Sequence, residues 1–328
     1  MKGFTVLPAE VFERDDVEKR EVGKWYTIDG DLHAHNTWHS FYAKLENAIP
    51  ALGCVRKPRL FTCETGEEII ARDNWYVARD IRLIREVDTQ TIKAYLTANS
   101  DTLLNSDNAY VRAALAKYGV ELEKLVDDPS YHVRCCVAAN GYALDKLIDD
   151  DNYEVRAAVV RQGYRLDKLI KDPDFYVRAE VARVGYGLEE LVKDPDEVVR
   201  ATVAEMGKFL DVLIDDPNAN VRAAVAEQEY GFEKLVNDPH ERVRATVAAF
   251  GYGHDILAND PSAEVRNAIQ YWKCMEIIEQ EDKIFNKYCK DLTEEQKELA
   301  RKCTEPLLDK GIELYECGLK SFVLTLKG

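Results

Sequence analysis

The sequence has no apolar run near the ~20 residues that a membrane helix needs, no Cys-x-x-Cys pair, and no stretch rich in glycine, proline or serine that reads as a linker. Each absence excludes something. Without the first, no membrane span is expected, and the start MKGFTVLPAEVFERDD meets acid before a signal-like apolar core can form, so the chain reads as soluble and cytoplasmic. Without the second, the eight cysteines (Cys54, Cys63, Cys135, Cys136, Cys274, Cys289, Cys303 and Cys317) fit reduced thiols better than a disulfide frame or a zinc site. Gly-x-Ser-x-Gly, phosphate-loop and dinucleotide fingerprints are also missing. Positive charge is scarce: 44 Lys and Arg stand against 60 Asp and Glu, a net charge of −16. Residues 1–90, 91–270 and 271–328 carry −3, −11 and −2, so the middle holds the acidity. That surface repels phosphates, and with no local basic stripe direct nucleic-acid binding is not expected.

What the chain has is a strict repeat. Val-Arg recurs at Val111-Arg112, Val133-Arg134, Val155-Arg156, Val177-Arg178, Val199-Arg200, Val221-Arg222, Val243-Arg244 and Val265-Arg266, always 22 residues apart. Around each copy stand Asp-Pro, three variable residues, Val-Arg, a run of small residues, Gly-Tyr and Leu-x-x-Leu, as in DPDFYVRAEVARVGYGLEELVKD. Asp-Pro reads as an N-cap carboxylate with proline at the first position of a helix A. Val155 and Val159, or Val177 and Val181, lie four apart with alanines between, a narrow apolar face that a neighbouring helix can approach closely. Gly119, Gly141, Gly163, Gly185, Gly207 and Gly251 fall where helix A must end. A short helix B follows, with Leu144, Leu147 and Ile148 echoed by Leu166, Leu169 and Ile170. No such unit buries a core alone, so neighbours must stack.

The Asp-Pro…Val-Arg-x-Ala-Val-Ala…Leu-x-x-Leu pattern resembles HEAT-type repeats, in the short form also seen in leucine-rich-repeat variants. The resemblance implies a mostly α fold: an α-solenoid of eight 22-residue HEAT-like helical hairpins over residues 91–272. It also implies an Asp/Arg ladder linking adjacent repeats, since Arg follows Asp by six residues from Asp128 and Arg134 to Asp260 and Arg266. The first repeat departs, with Ser106-Asp107 for Asp-Pro, and the sixth has Glu229 where glycine is expected. Residues 1–90, with short β-branched and aromatic runs between Asp, Gly and Asn turns, read as a small α+β domain. Within it NTWHSFYAKLENAIPAL has helical periodicity. This domain is loosely similar to an uncharacterised small domain that precedes such repeats in some bacterial and phage proteins, which implies no activity. Residues 273–328 read as a helical C-terminal cap, with a capping box at Thr293–Gln296.

Candidate sites are few. His33, His35 and His39, beside Asp31, make the one cluster with metal-like chemistry, against a water-facing turn as the plainer reading. Cys63 and Glu64 invite a Cys/His reading of the same region. The Gly-Tyr tyrosines Tyr142, Tyr164, Tyr186, Tyr230 and Tyr252 read as packing under the A–B turn, or as lining for a peptide groove. The variable triplet is more informative, because the frame does not dictate it. Tyr131, Tyr153 and Phe175 share one slot in successive repeats, and Tyr110 and Tyr176 stand one position later, which predicts an exposed aromatic stripe. Glu123, Asp145, Asp167, Glu189 and Asp211, continued by Glu233 and Asp255, open each helix B in a regular acidic row.

Two readings of function follow. The first is a protein-binding module without chemistry or cofactor, meeting a protein partner with a basic surface. Its sharper version is a phage or mobile-element inhibitor, anti-CRISPR-like, that mimics nucleic acid in the channel of a host defence complex. The second is a metal-dependent enzyme with its site at His33, His35 and His39 and the repeats as a substrate platform.

Overall fold

The computed structural model describes residues 1–8, 21–27, 39–55, 57–72, 75–290, 292–293, 296–298, 300–302, 316 and 319. They fall into two compact units, Met1–Tyr186 and Gly187–Gly328.

The first unit begins with two antiparallel sheets. Strands β1 (Lys2–Pro8), β4 (Pro58–Thr65), β7 (Asp80–Glu86) and β2 (Trp25–Thr27) form one, in that spatial order. Strands β3 (His39–Phe41), β6 (Tyr76–Ala78) and β5 (Ile69–Ala71) form the other. Tyr26, Phe41, Cys63, Ala78 and Ile81 make one buried cluster, in which Phe41 stacks on Tyr76 at 5.2 Å. Helix α1 (Leu45–Cys54) follows β3, so of the segment expected to be helical from Asn36 onward the described residues are helical only from Leu45. His39, Ser40 and Phe41 are instead drawn into pairing with Ala78, Val77 and Tyr76, a long-range partnership that overrides local spacing.

Helix α1 is the junction with the repeats. Gly53 lies so close to helix α4 (Ala109–Lys117) that a Cβ there would come within 1.8 Å of the Tyr110 carbonyl oxygen. From the same helix, the Lys117 ammonium donates to the carbonyls of Leu52, Gly53 and Val55 at 3.1, 2.8 and 2.8 Å. These belong to the end of α1, where carbonyls lack helical partners and the dipole favours a cation. Burial lowers the pKa of Lys117, the cost of holding the charge there.

After α2 (Thr89–Ala98) and α3 (Ser100–Leu104), long and short helices alternate. In the first unit the long ones are α4, α6 (Tyr131–Ala139), α8 (Tyr153–Arg161) and α10 (Phe175–Arg183). The short ones are α5 (Leu122–Leu125), α7 (Leu144–Leu147) and α9 (Leu166–Leu169). In the second unit α11 (Leu188–Leu191), α13 (Leu210–Leu213), α15 (Phe232–Leu235) and α17 (His254–Leu257) alternate with α12 (Glu197–Glu205), α14 (Ala219–Glu227), α16 (Glu241–Ala249) and α18 (Ala263–Cys289). Four-residue helices cannot persist alone. Their second leucines, Leu125, Leu147 and Leu169 in the first unit, are buried, each contributing about 1.5–3 kcal/mol. Within each unit, consecutive long helices pack on one another through buried valines and alanines, as in a helical repeat array. Helices α2 and α18 run across the positions 90/91 and 272/273 at which the sequence changes character.

The glycines end helix A as expected. Gly119 has φ +68°, its amide bonds to the Ala116 carbonyl, and the amide of Val120 reaches back to Leu115. This is a Schellman closure, repeated at Gly141-Tyr142, Gly185-Tyr186 and Gly251-Tyr252. In the sixth repeat Glu229 takes φ +55°.

The helix starts differ from expectation. Helix A begins three residues after the repeat aspartate, and its N-caps are Asn108, Asn152, Asp174, Asp196, Asn218, His240 and Ser262, each accepting from the amide two residues on. The repeat aspartate has other partners. The Oδ1 of Asp128 takes the amide of Ser130 at 2.8 Å, and both its oxygens take the Arg112 guanidinium of the preceding repeat, at 2.6 and 3.0 Å.

Candidate protein-binding surface

An Arg/Asp ladder linking repeats is present in both units, but each guanidinium takes the carboxylate sixteen residues on, in the next repeat, rather than that of the aspartate six before it. Arg112–Asp128, Arg134–Asp150 and Arg156–Asp172 link repeats in the first, and Arg200–Asp216, Arg222–Asp238 and Arg244–Asp260 in the second. Each pair is bidentate, and the third guanidinium nitrogen donates to the carbonyl six residues earlier, as Arg134 does to Asp128. The arginine side chains are 12–14% exposed and the aspartates 4–7%. Burial opposes the charge on Asp150 and Asp238, but the arginine and the turn amide outweigh it, and both carboxyls titrate below their ordinary value. Asp260 is lowered chiefly by Arg244. All three nitrogens of these guanidiniums are bonded inside the array, as at Arg134.

The aromatic stripe lies in the first turns of α4, α6, α8 and α10, all in the first unit. Tyr110, Tyr153 and Tyr176 are exposed at 43%, 37% and 53%, while Tyr131 and Phe175 are half-buried. The stripe is a set of ring contacts. Tyr110 and Tyr131 both meet His132, at 5.9 and 4.1 Å between centroids. Tyr153 stacks on Tyr176 at 5.5 Å with 24° between planes, and Phe175 adjoins Tyr176 at 4.2 Å. His132, which the sequence reading passed over, supplies the contact that the slot arithmetic left open. The charge of Glu154 raises the pKa of Tyr153, and after burial it is the largest influence raising that of Tyr131.

The acidic row is exposed at Glu123, Asp145, Asp167, Glu189 and Asp211. It is partly answered by neighbours. Asp167 pairs with Arg165 at 3.1 Å. The lysines next to the row reach back instead: Lys146 and Lys168 bind Asp127 and Asp149 of the repeat before, and in the second unit Lys234 binds Asp215. Of the five tyrosines expected to pack under the A–B turn, Tyr142, Tyr186 and Tyr230 are exposed, whereas Tyr164 and Tyr252 are half-buried.

His33 and His35 lie outside the described residues, and the backbone of His39 is strand β3 rather than the expected helix start. Among the described residues no group of three or more His, Cys, Asp or Glu side chains is placed to hold a metal. Burial pushes the Cys63 thiol up to about 12. Glu64 beside it is engaged by Arg82 and Lys2. Cys135 is likewise pushed up to about 12 by burial, with Glu154 adding to it. No described helix is long and apolar enough to cross a membrane.

The units define a helical-repeat protein with a small β-rich N-terminal part. No protein-family model matches the chain, and no similar curated protein is found.

Proposed function

We propose that this protein is a binding module for another protein, acting by shape and charge rather than by catalysis. The observation that carries this is the aromatic stripe: three tyrosines more than a third exposed at positions the repeat frame does not prescribe. The acidic rows select a partner with a basic surface, and a net charge of −11 across residues 91–270 steers such a partner toward the repeats. A partner whose basic surface normally holds nucleic acid fits this best, so the module would act as an inhibitor that excludes the nucleic acid.

The test is affinity capture with the full chain and its Tyr131/Tyr153/Phe175→Ala variant, followed by a competition between this protein and a DNA or RNA oligonucleotide for the captured partner. Loss of the partner in the variant is the expected result, with mutual exclusion of protein and oligonucleotide. Capture indifferent to the variant overturns the stripe as the interface, and simultaneous binding of the oligonucleotide overturns the inhibitor reading.

A further inference from the structure

The stripe has a chemistry more specific than hydrophobic contact. Its twelve first-turn residues, 108–110, 130–132, 152–154 and 174–176, contain no lysine or arginine. They do contain Glu154 and Asp174, and Asp151 adjoins them with a side chain that is 93% exposed while its carboxylate touches Arg134 at 3.0 Å. Tyr153 and Tyr176 form an exposed, nearly parallel stacked pair with outer ring faces open to a ligand. Aromatic faces beside the carboxylates of Glu154 and Asp174, with no lysine or arginine among the first-turn residues, make a site for a flat cation. The N-termini of α8 and α10 oppose this, each with only about half a positive charge, against the carboxylates of Glu154 and Asp174, Asp151 being answered by Arg134.

We propose that the first turns of α8 and α10 bind an arginine side chain of an extended basic partner segment, the guanidinium lying on the Tyr153–Tyr176 pair and donating to Glu154. This rests on the protein-binding reading and gives the partner's contact residue. Arginine is favoured over lysine because a planar guanidinium stacks and forks at once, whereas an ammonium is a strongly hydrated point charge. Stacked helices lie ~8–10 Å apart, and an extended polyproline-type segment advances ~9.3 Å every three residues. One partner residue in three therefore faces a new repeat, and a second arginine three or six positions away would reach the Tyr110, His132 and Tyr131 rings. A nucleic acid is excluded as occupant by the same carboxylates.

The experiment is calorimetric titration of the full chain with two capped nonapeptides, three Gly-Gly-Arg units and three Gly-Gly-Lys units, at low and physiological salt. The arginine peptide is expected to bind at least ~3-fold tighter than its lysine counterpart. Glu154→Gln should weaken it ~10-fold, and Tyr176→Ala ~5-fold. Both substitutions are exposed or half-exposed, and circular dichroism checks that the variants remain folded. Equal affinity for the two peptides, indifference to both variants, or no binding of the arginine peptide overturns the proposal. If the peptides are not discriminated while a partner protein is still lost from the stripe variant, arginine selectivity fails and the binding reading stands.

Discussion

In the unit Met1–Tyr186, the slot after the first residue of helix A brings Tyr110 against His132; in the unit Gly187–Gly328 the same slot holds Asn220 and Arg242, which meet through a hydrogen bond of 2.9 Å. Both units keep the valine, the bidentate arginine and the helix-closing left-handed turn. What varies is the surface of the first turn: tyrosine and phenylalanine in one, Glu197, Val198, Ala219, Asn220, Glu241 and Arg242 in the other. Since the second unit folds on the same frame without rings, the rings of the first are not required for stacking. That difference separates residues that build the array from residues that use it.

The sharpest way to break the comparison is at α1, which only the first unit possesses. Gly53→Val should unseat α1 from α4 and cost more than about 3 kcal/mol, since the clash is with backbone. Hydrogen exchange should show the first unit opening while α12–α17 keep their protection. Uniform loss across both units would refute this assignment. Next come matched ladder deletions. Arg156→Ala and Arg222→Ala strand Asp172 and Asp238 in buried surroundings, and each should lower stability by about 3 kcal/mol in thermal or urea unfolding. Unequal costs would mean that the rungs serve different ends in the two units.

For binding, Tyr131/Tyr153/Phe175→Ala should cost about 2 kcal/mol of affinity for the captured partner, whereas Val198→Ala, in the slot of Tyr176 one repeat later, should leave it unchanged in the same assay. Acid should not separate the units. Asp150, Asp238 and Asp260 titrate below their unfolded value, so folding favours their charged forms. Their contribution is complete above about pH 4 and is lost as the pH falls through the lower folded values. Urea midpoints measured from pH 6 to pH 2 should fall for both units together. The smallest effect is a gain: Glu229→Gly relieves a side chain at φ +55° and should stabilise by about 0.5–1 kcal/mol, read as a higher melting temperature.

Much of the repeat was legible because its signals are local and recur. Val-Arg every 22 residues located helix A, Gly-Tyr its end, and Leu-x-x-Leu helix B. The start was misread because Asp-Pro looks like a cap, while the true caps, Asn, Ser and Asp two positions on, stand inside the triplet taken as variable. The aspartate was already bound by the arginine of another repeat, a competition that no local pattern displays. The aromatic slots were legible, but the role of His132 was not, because it depends on which rings adjoin across repeats. Least legible was the N-terminal part. Its strands pair β1 with β4 and β2 with β7, and the seat of Gly53 on Tyr110 exists only once distant segments meet.

The ladder gives the array a direction. Each of the six ladder arginines reaches back to a carbonyl of its own repeat and forward to a carboxylate of the next, so the repeats they join are at once plug and socket, and the joint has a sense along the chain. A copied segment is accepted within either unit only if it is 22 residues or a whole multiple, because any other length misplaces both halves of the joint. Gene duplication can lengthen such a chain freely in whole steps, while a single-residue insertion breaks a joint. The binding surface can meanwhile be rewritten one repeat at a time, since the two free slots take no part in the joint.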